Sequence, residues 1–157
     1  SIEYTAAWYK GNLKKEVDEA LEDGSDLPHS DAYTINVDYN KTYLLRIINA
    51  VMNAEFFFAV AQHNLTVVGM DGRYVKPLAT SYIMISPGQT MDVLITTNQS
   101  LGRYYMAARQ YSSEDASVTA FDHVNATAIL QYESNYSFPS SPSFPIHFLF
   151  TWIILLP

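Results

Sequence analysis

The chain has 157 residues, a formal net charge of −7 at pH 7 and no cysteine. Its length predicts one domain with a short appendage, and its acidic character disfavours nucleic-acid binding because phosphate groups repel negative charge. The lack of cysteine excludes disulfides, thiolate metal ligands and cysteine nucleophiles. Aromatic residues form 14% of the chain, which favours strands over helical bundles.

The first predicted element is an amphipathic helix over residues 7–23. Its apolar residues recur at close to every fourth position, as on one face of a helix. These residues are Trp8, Leu13, Val17 and Leu21. Gly24 is placed to end the helix, and residues 24–30 form a linker. We therefore expect an N-terminal helix and linker over residues 1–34.

Short segments rich in β-branched, aromatic and aliphatic residues follow, which is typical of strands. Strands are predicted over residues 43–50, 55–61, 65–70, 81–85, 91–97, 103–110 and 126–132. Asp71 and Gly72 predict a hairpin, and residues 86–89 (SPGQ) predict a second tight turn. Strands without an intervening helix predict an all-β domain over residues 35–133, either an antiparallel sandwich or a Greek-key barrel.

The third region, residues 134–157, departs from this pattern. Residues 137–145 are rich in serine and proline, which predicts an extended, disordered spacer. Residues 146–157 are uncharged and almost wholly apolar. This run is shorter than the roughly 18 residues that a membrane-spanning helix needs. We therefore expect an irregular, aggregation-prone apolar tail and no membrane span.

The sequence contains more N-x-[ST] sequons than its composition would give by chance. Their asparagines are Asn40, Asn64, Asn98, Asn125 and Asn135. Because glycosylation takes place on the secretory route, the excess predicts a secreted, extracellular glycoprotein. The alternative is that some matches are accidental and none is used. The start of the chain lacks the basic and apolar regions of a signal peptide, so we expect a mature protein or an internal piece of a longer one.

Sequence motifs for the common catalytic centres are absent. The chain has no G-x-S-x-G elbow, no G-x-G-x-x-G or P-loop phosphate motif and no H-E-x-x-H metal motif. The histidines stand singly, without an HxH or HxxxH pair, at His29, His63, His123 and His147. A blue-copper centre needs two histidines and one cysteine. The sequence therefore predicts no metal site within this chain.

Five of the predicted segments stand out by their order and spacing: residues 43–50 (YLLRIINA), 63–77, 85–97 (ISPGQTMDVLITT), 104–109 and 127–133. Together they resemble the second, cupredoxin-like domain of plant laccases, which are secreted multicopper oxidases. Upstream, residues 8–9 and 30–36 resemble the segment that leads into that domain. The resemblance covers residues 4–133 and implies a cupredoxin-like Greek-key sandwich. Ascorbate oxidases share part of the pattern.

The resemblance implies one function for a whole laccase and a narrower role for this chain. Laccases take single electrons from phenols and reduce dioxygen to water, with copper bound by HxH-type and HCH-type motifs of their first and third domains. None of those motifs occurs here. The chain is thus expected to be the copper-free middle domain of an apoplastic oxidoreductase of phenol and lignin metabolism. Copper, a phenolic substrate, dioxygen and the flanking cupredoxin domains belong to the full enzyme, and the chain alone should be inactive.

Two departures from the laccase pattern suggest a truncated chain. Laccases place a strand with a G-x-P-G turn between the segments that correspond to Asn36 and Thr42, and this chain lacks it. The tail after Ser134 also differs from the family. The alternative to a laccase segment is a free-standing, secreted β-sandwich that serves as a binding or scaffold module.

The resemblance also points to one candidate site. Residues 49–57 align with the middle-domain loop that places a polar or acidic group beside the phenol hydroxyl in laccases. Asn53 and Glu55 are therefore substrate-pocket candidates, and a carboxylate there would accept the phenolic proton as the electron leaves. The alternative is that both are ordinary loop residues. The triplet 56–58 (FFF) is expected in the core rather than in the pocket.

Overall fold

The structure is a computed structural model that describes residues 3–7, 33–111, 126–133 and 142–145. Within these ranges it contains ten β-strands and no helix, which confirms the all-β prediction. The strands are β1 (Glu3–Ala7), β2 (Thr34–Val37), β3 (Thr42–Ile48), β4 (Phe56–Val60), β5 (Leu65–Met70), β6 (Arg73–Thr80), β7 (Ile83–Ile85), β8 (Thr90–Thr96), β9 (Arg103–Gln110) and β10 (Ala126–Tyr132). The predicted helix, apart from Ala7 at the end of β1, and the apolar tail 146–157 lie outside the described residues.

The strands form two five-stranded sheets, one in the order β1-β3-β8-β5-β6 and the other in the order β2-β10-β9-β4-β7. All seven predicted strands are confirmed, whereas β1, β2 and β6 were not predicted. Most neighbours are antiparallel, but β1 runs parallel to β3 and β2 runs parallel to β10. Both parallel pairs involve a strand, β1 or β2, that the sequence does not predict. Parallel neighbours need long connections, and such pairings leave no hairpin signal in the sequence.

The core lies between the two sheets and follows the period of two that strands impose on their side chains. Residues alternate between buried and exposed or half-buried along β3 and β8. Tyr43 lies opposite Ile95, and Leu45 lies opposite Val93. All four side chains are buried. Full burial of the three aliphatic side chains among them stabilises the fold by about 1.5–3 kcal/mol each relative to full exposure.

Both predicted turns are present. Asp71 and Gly72 connect β5 to β6 with φ values of 49° and 74°, which is the paired left-handed conformation of a type I′ hairpin. In the second turn, Gly88 has a φ of 74° and the Gln89 N–H donates to the Ser86 carbonyl at 3.1 Å. A left-handed third residue after proline is typical of a type II turn.

Strand β6 forms one edge of the first sheet, and all of its residues are exposed except the half-buried Thr80. Tyr74 and Leu78 expose 94% and 63% of their surface. Pro77 is tolerated because an edge strand has N–H groups without a ladder partner. Charged residues and proline are also common means of blocking edge-to-edge association. The strand thus carries both apolar surface and Lys76 within one exposed edge.

Two segments outside residues 35–133 contact the sandwich. Strand β1 extends the first sheet beside β3. Near the other end of the chain, the Tyr105 N–H donates to the Ser143 carbonyl at 2.8 Å, and the Ser143 N–H donates to the Arg103 carbonyl at 3.1 Å. The Phe144 ring lies 5.6 Å from that of Tyr105. Residues 142–145 are therefore attached to β9, and the prediction of a disordered spacer is wrong for them.

Candidate functional site

The loop that carries Asn53 and Glu55 is fixed by the buried side chain of Asn49. Its Nδ2 donates to the carbonyls of Ala54 at 2.8 Å and Ile85 at 3.0 Å. Its Oδ1 accepts the Val51 N–H at 3.1 Å. All three hydrogen bonds are formed by one amide that is only 5% exposed. Because unsatisfied buried polar groups are costly, this arrangement strongly favours one loop conformation.

Backbone hydrogen bonds join the same loop to the turn at residues 86–89. The Asn49 N–H donates to the Gln89 carbonyl at 3.1 Å, and the Gly88 N–H donates to the Asn49 carbonyl at 2.8 Å. The loop after β3 and the turn before β8 therefore lie side by side at one end of the sandwich. Side chains from both segments can contribute to a single site.

Glu55 lies at this junction, and Asn53 lies in the exposed part of the loop. The carboxylate of Glu55 is half-buried, and its Oε1 accepts the Ser86 hydroxyl at 3.1 Å. The backbone carbonyl of Glu55 accepts the Tyr111 N–H at 2.8 Å. Next to Asn53, the Met52 side chain is 95% exposed. The structure brings Glu55 together with Ser86 and Tyr111, while no described contact joins Asn53 to them.

An aromatic group adjoins Glu55 two residues further along the chain. The ring of Phe57 makes edge-to-face contacts with Tyr82, at a centroid distance of 5.8 Å, and with Tyr111, at 5.7 Å. Both tyrosines are partly exposed, at 45% and 42%. Edge-to-face pairs of this kind are favourable and hold the rings in defined orientations. The site thus combines a half-buried carboxylate with aromatic surface.

The expectation that residues 56–58 all belong to the core is only partly correct. Phe58 is buried between the sheets, and Phe56 packs against that core. Phe57 instead packs with Ala59, Ala107 and Phe144 in a separate cluster. The physical reason is the alternation of side chains along a strand, which sends Phe57 to the opposite face from its neighbours.

The described residues do not fit a copper centre. They contain no group of three histidine, cysteine, aspartate or glutamate side chains that would hold a metal ion. His63 is the one histidine within them, and both of its ring nitrogens are engaged: Nδ1 lies 2.7 Å from the Ala61 carbonyl and Nε2 lies 2.7 Å from the Tyr132 hydroxyl. His29, His123 and His147 lie outside the described residues. That the whole chain binds no copper remains a prediction.

Three of the predicted glycosylation sites can be located. Asn40, Asn64 and Asn98 are all exposed, as glycosylation requires, while Asn125 and Asn135 fall in undescribed segments. Use of these sites remains a prediction. Among the described residues, no helix has the length and apolarity to cross a membrane.

A family model described as multicopper oxidase matches residues 6–135, which is most of the chain. The chain belongs to the multicopper oxidase family. Similarity to individual plant proteins supports this membership. Laccase-21 of Oryza sativa subsp. japonica is 41% identical over 88% of this chain, and Laccase-8 of the same organism is 50% identical over 73% of it. Laccase-12 of Arabidopsis thaliana is also 41% identical over 88% of the chain.

Solved multicopper oxidases have the same fold as this chain. The laccase of Botrytis aclada matches 71% of the chain with a TM-score of 0.60 and 28% sequence identity, and the match covers 20% of that protein. Fet3p, a multicopper oxidase that functions in iron import, matches 69% of this chain with a TM-score of 0.57 and 24% sequence identity, and the match covers 21% of Fet3p. At this identity the match shows a shared fold and nothing more. The predicted resemblance to laccases and the cupredoxin-like fold are thereby confirmed.

This multicopper oxidase chain corresponds to only part of its relatives. The matches cover 27% of Laccase-21 and 21% of Laccase-8, so the chain spans about a quarter of the length of the curated relatives it matches. The sequence makes Glu55 a candidate but does not predict Ser86 and Tyr111 as its neighbours, nor Tyr82 beside Phe57. The serine was visible as part of a predicted turn, but nothing in the local pattern places that turn beside residue 55.

Proposed function

We propose that this chain is the copper-free middle domain of a secreted laccase that oxidises phenols with dioxygen. The similarity to plant laccases over most of the chain is the observation that carries the proposal. The lack of cysteine and of paired histidine motifs supports a domain that leaves copper binding to its neighbours. The domain then acts as a scaffold and contributes part of the phenol pocket.

The scaffold role is supported by the exposed strand β6. Tyr74 and Leu78 present large apolar side chains to solvent from a sheet edge that has no described neighbour on its outer side. Exposed apolar patches of this kind mark surfaces that other protein parts cover. In the full-length enzyme, we expect a flanking cupredoxin domain to cover this edge.

The pocket role is supported by the surroundings of Glu55. A phenol that packs against the partly exposed rings of Tyr82 and Tyr111 would have a carboxylate nearby for its hydroxyl. A phenol becomes a much stronger acid as it loses an electron, so a carboxylate that accepts the proton lowers the barrier to oxidation. Asn53, in the exposed part of the same loop, is the second candidate and would act by hydrogen bonding.

The absence of intrinsic activity is tested on the isolated chain. Purified protein is incubated with Cu²⁺, dialysed and assayed for bound copper, blue colour and oxygen uptake with a simple phenol. We expect no stoichiometric copper, no blue absorbance and no oxygen uptake, because the chain supplies no cysteine. Stoichiometric copper together with turnover would contradict the proposal.

The pocket role is tested by placing this chain in Laccase-21 in exchange for the matching segment. Copper content and the blue colour show whether the chimera assembles. In that background, Glu55→Gln should lower kcat/KM for a phenol by about 100-fold, the lower end of the contribution of general acid–base groups. Oxidation of ferrocyanide, which releases no proton, should be unchanged. An equal loss with both donors, or no loss with the phenol, would show that Glu55 is not the proton acceptor.

Asn53→Ala provides the comparison within the same loop. If Asn53 only orients the phenol, its removal should raise KM with little change in kcat. If Asn53→Ala instead lowers kcat and Glu55→Gln raises only KM, the roles of the two residues are assigned the wrong way round.

A further inference from the structure

A tyrosine and a histidine form a buried hydrogen-bonded pair on the side of the core that the proposed function does not use. The side chain of Tyr132, at the end of β10, is fully buried, and His63, just before β5, is 3% exposed. The Tyr132 hydroxyl lies 2.7 Å from His63 Nε2. The two rings are also close, with centroids 5.9 Å apart.

The direction of this hydrogen bond follows from the other contacts of the pair. His63 Nδ1 lies 2.7 Å from the Ala61 carbonyl, which can only accept, so Nδ1 carries the proton. Burial lowers the pKa of His63, which keeps the ring neutral at pH 7. Nε2 is therefore an acceptor, and the Tyr132 hydroxyl donates to it. The Gln99 N–H completes the arrangement by donating to the same hydroxyl oxygen at 3.2 Å.

Aromatic rings connect this pair to the surface. The ring of Tyr132 lies 6.4 Å from that of Tyr39 and 5.6 Å from that of Tyr104. Tyr39 is 55% exposed, whereas Tyr104 is buried. An electron can therefore pass between Tyr132 and a reagent in solution through the single ring of Tyr39, without any opening of the core.

We propose that Tyr132 and His63 form a redox-active pair in which a one-electron oxidant takes an electron from the Tyr132 ring while the hydroxyl proton moves to His63 Nε2. The O–H bond breaks and an N–H bond forms. The products are a neutral tyrosyl radical, a protonated His63 and the oxidant reduced by one electron. The oxidant is an outer-sphere metal complex or an oxygen-derived radical, and a phenol or ascorbate returns the electron and reverses the proton transfer.

The surroundings of Tyr132 explain why the proton has to move to His63. Burial raises the pKa of Tyr132 to about 12, so the phenolate does not form in the core at neutral pH. An oxidised phenol is a far stronger acid than a phenol, so even a histidine whose pKa is lowered by burial accepts its proton. The protonated ring stays hydrogen-bonded to the Ala61 carbonyl through Nδ1. The pair is a property of this chain and does not depend on the proposed laccase function.

Tyr104 serves as a control for the role of His63 as proton acceptor. It is buried beside the same histidine, with ring centroids 4.9 Å apart. Its hydroxyl, however, donates to the Ser100 carbonyl at 2.6 Å. This is the hydrogen bond of the tyrosine corner that many Greek-key sandwiches share. A carbonyl is not a base that takes up a proton at neutral pH, so Tyr104 should not form a stable radical.

The test is oxidation of the full chain by hexachloroiridate(IV), followed by rapid freezing and EPR spectroscopy. The chain has no cysteine, so no thiol competes for the oxidant. We expect a tyrosyl signal whose amplitude falls by about tenfold in Tyr132→Phe and is unchanged in Tyr104→Phe. His63→Gln should also lower it by about tenfold, because the amide accepts the hydrogen bond but cannot take the proton. An unchanged signal in Tyr132→Phe, or an equal loss in Tyr104→Phe, would overturn the proposal.

A second measurement needs no variant and separates this pair from exposed tyrosines. Exposed tyrosines pass their proton to buffer bases, so their oxidation accelerates with buffer concentration. Transfer to His63 inside the core should give a radical whose rate of formation is independent of buffer concentration and is slowed about twofold or more in D₂O, since a proton moves in the step. A rate that rises in proportion to buffer base, with no long-lived signal, would show that Tyr132 is not the site.

Discussion

Thr97, directly after β8, shows how one buried hydroxyl determines the shape of a loop. Its Oγ1 donates to the Asp38 carbonyl at 2.6 Å and accepts the Lys41 N–H at 3.0 Å. The Asn40 N–H donates to the Thr97 carbonyl at 2.7 Å. Within this turn Asn40 has a φ of 57°, a left-handed conformation that asparagine tolerates better than most residues. The hydroxyl therefore holds a loop conformation that the backbone alone would not favour.

Replacing Thr97 by valine should destabilise the fold by about 1–3 kcal/mol, because it keeps the shape of the side chain but removes a buried hydroxyl whose hydrogen bonds to the turn are partly shielded from water. Unfolding by urea, followed by circular dichroism, measures the change. Thr96→Val is the matched control, since its exposed hydroxyl lies 3.1 Å from the exposed hydroxyl of Thr42. Its effect should stay within about 0.5 kcal/mol. Equal effects of the two substitutions would refute the role of the buried hydroxyl.

The Tyr132–His63 pair should make the stability of the fold depend on pH at both ends of the range. The pKa of Tyr132 is raised from 10.0 to about 12, so the unfolded chain loses this proton first and stability falls as pH rises above 10. The loss reaches about 3 kcal/mol at most, since one pKa unit corresponds to about 1.4 kcal/mol. The pKa of His63 is lowered below 6.5, so the unfolded chain binds this proton first and stability also falls as pH drops below 6.5.

The two residues serve as controls for each other in this experiment. In urea unfolding at a series of pH values, Tyr132→Phe should reduce the decline above pH 10 to the part that remains from Tyr104, whose pKa burial also raises, and should keep the decline below pH 6.5. His63→Gln should do the reverse. If each variant keeps the full pH profile of the parent chain, the buried pair does not control the stability at these pH values.

At the scale of single residues, the sequence identifies candidates but not their neighbours. Glu55 was found because its loop resembles a known motif. Ser86 and Tyr111 join it through the pairing of β4 with β7 and β9, which connects residues far apart in the chain. Such contacts depend on strand order, which the local pattern of residues does not contain. His63 likewise stands alone in the sequence and meets Tyr132 only across the core.

At the scale of elements, the strands with regular alternation or continuous apolar character were predictable, and the others were not. Strand β6 contains Pro77 and charged residues, both of which disfavour a strand in a sequence-based prediction. It forms because the type I′ turn before it places it beside β5. Strand β2 has only four residues, and β1 lies next to a segment whose helical period dominates the pattern. Short strands of this kind are defined by their partners.

The turn between β5 and β6 provides the test at this scale. Gly72 has a φ of 74°, and an added Cβ would have nothing within 4 Å. Gly72→Ala should therefore destabilise the fold by about 1–2 kcal/mol through backbone conformation alone. Gly102→Ala is the matched control, because its Cβ would meet its nearest neighbour, the Tyr104 ring, at an ordinary 3.6 Å. It should be neutral or stabilise by up to about 1 kcal/mol. Thermal unfolding distinguishes the two, and an equal effect would show that the turn conformation is not the cause.

At the scale of the whole molecule, the net negative charge and the exposed apolar side chains have opposite effects on association. The formal net charge of −7 favours solubility through mutual repulsion of the chains. Against this, the β6 edge exposes Tyr74 and Leu78, and Met84 in β7, at the edge of the other sheet, is 43% exposed. A sheet edge with apolar side chains is a template for pairing with another chain. The isolated chain should therefore associate with itself as its concentration rises.

Replacing Leu78 by lysine should shift the isolated chain toward the monomer in sedimentation velocity measurements, because it removes apolar surface and places a charge on the edge. Asn36→Lys adds the same charge at an exposed polar position of β2 and should leave association unchanged. If both substitutions reduce association equally, net charge rather than the β6 edge controls it.

In the Laccase-21 chimera, Leu78→Lys should instead lower the yield of copper-loaded enzyme, since a flanking domain would have to bury the new charge. Normal assembly of that variant would mean that the edge stays exposed in the full enzyme, and the scaffold role proposed for β6 would have to be abandoned.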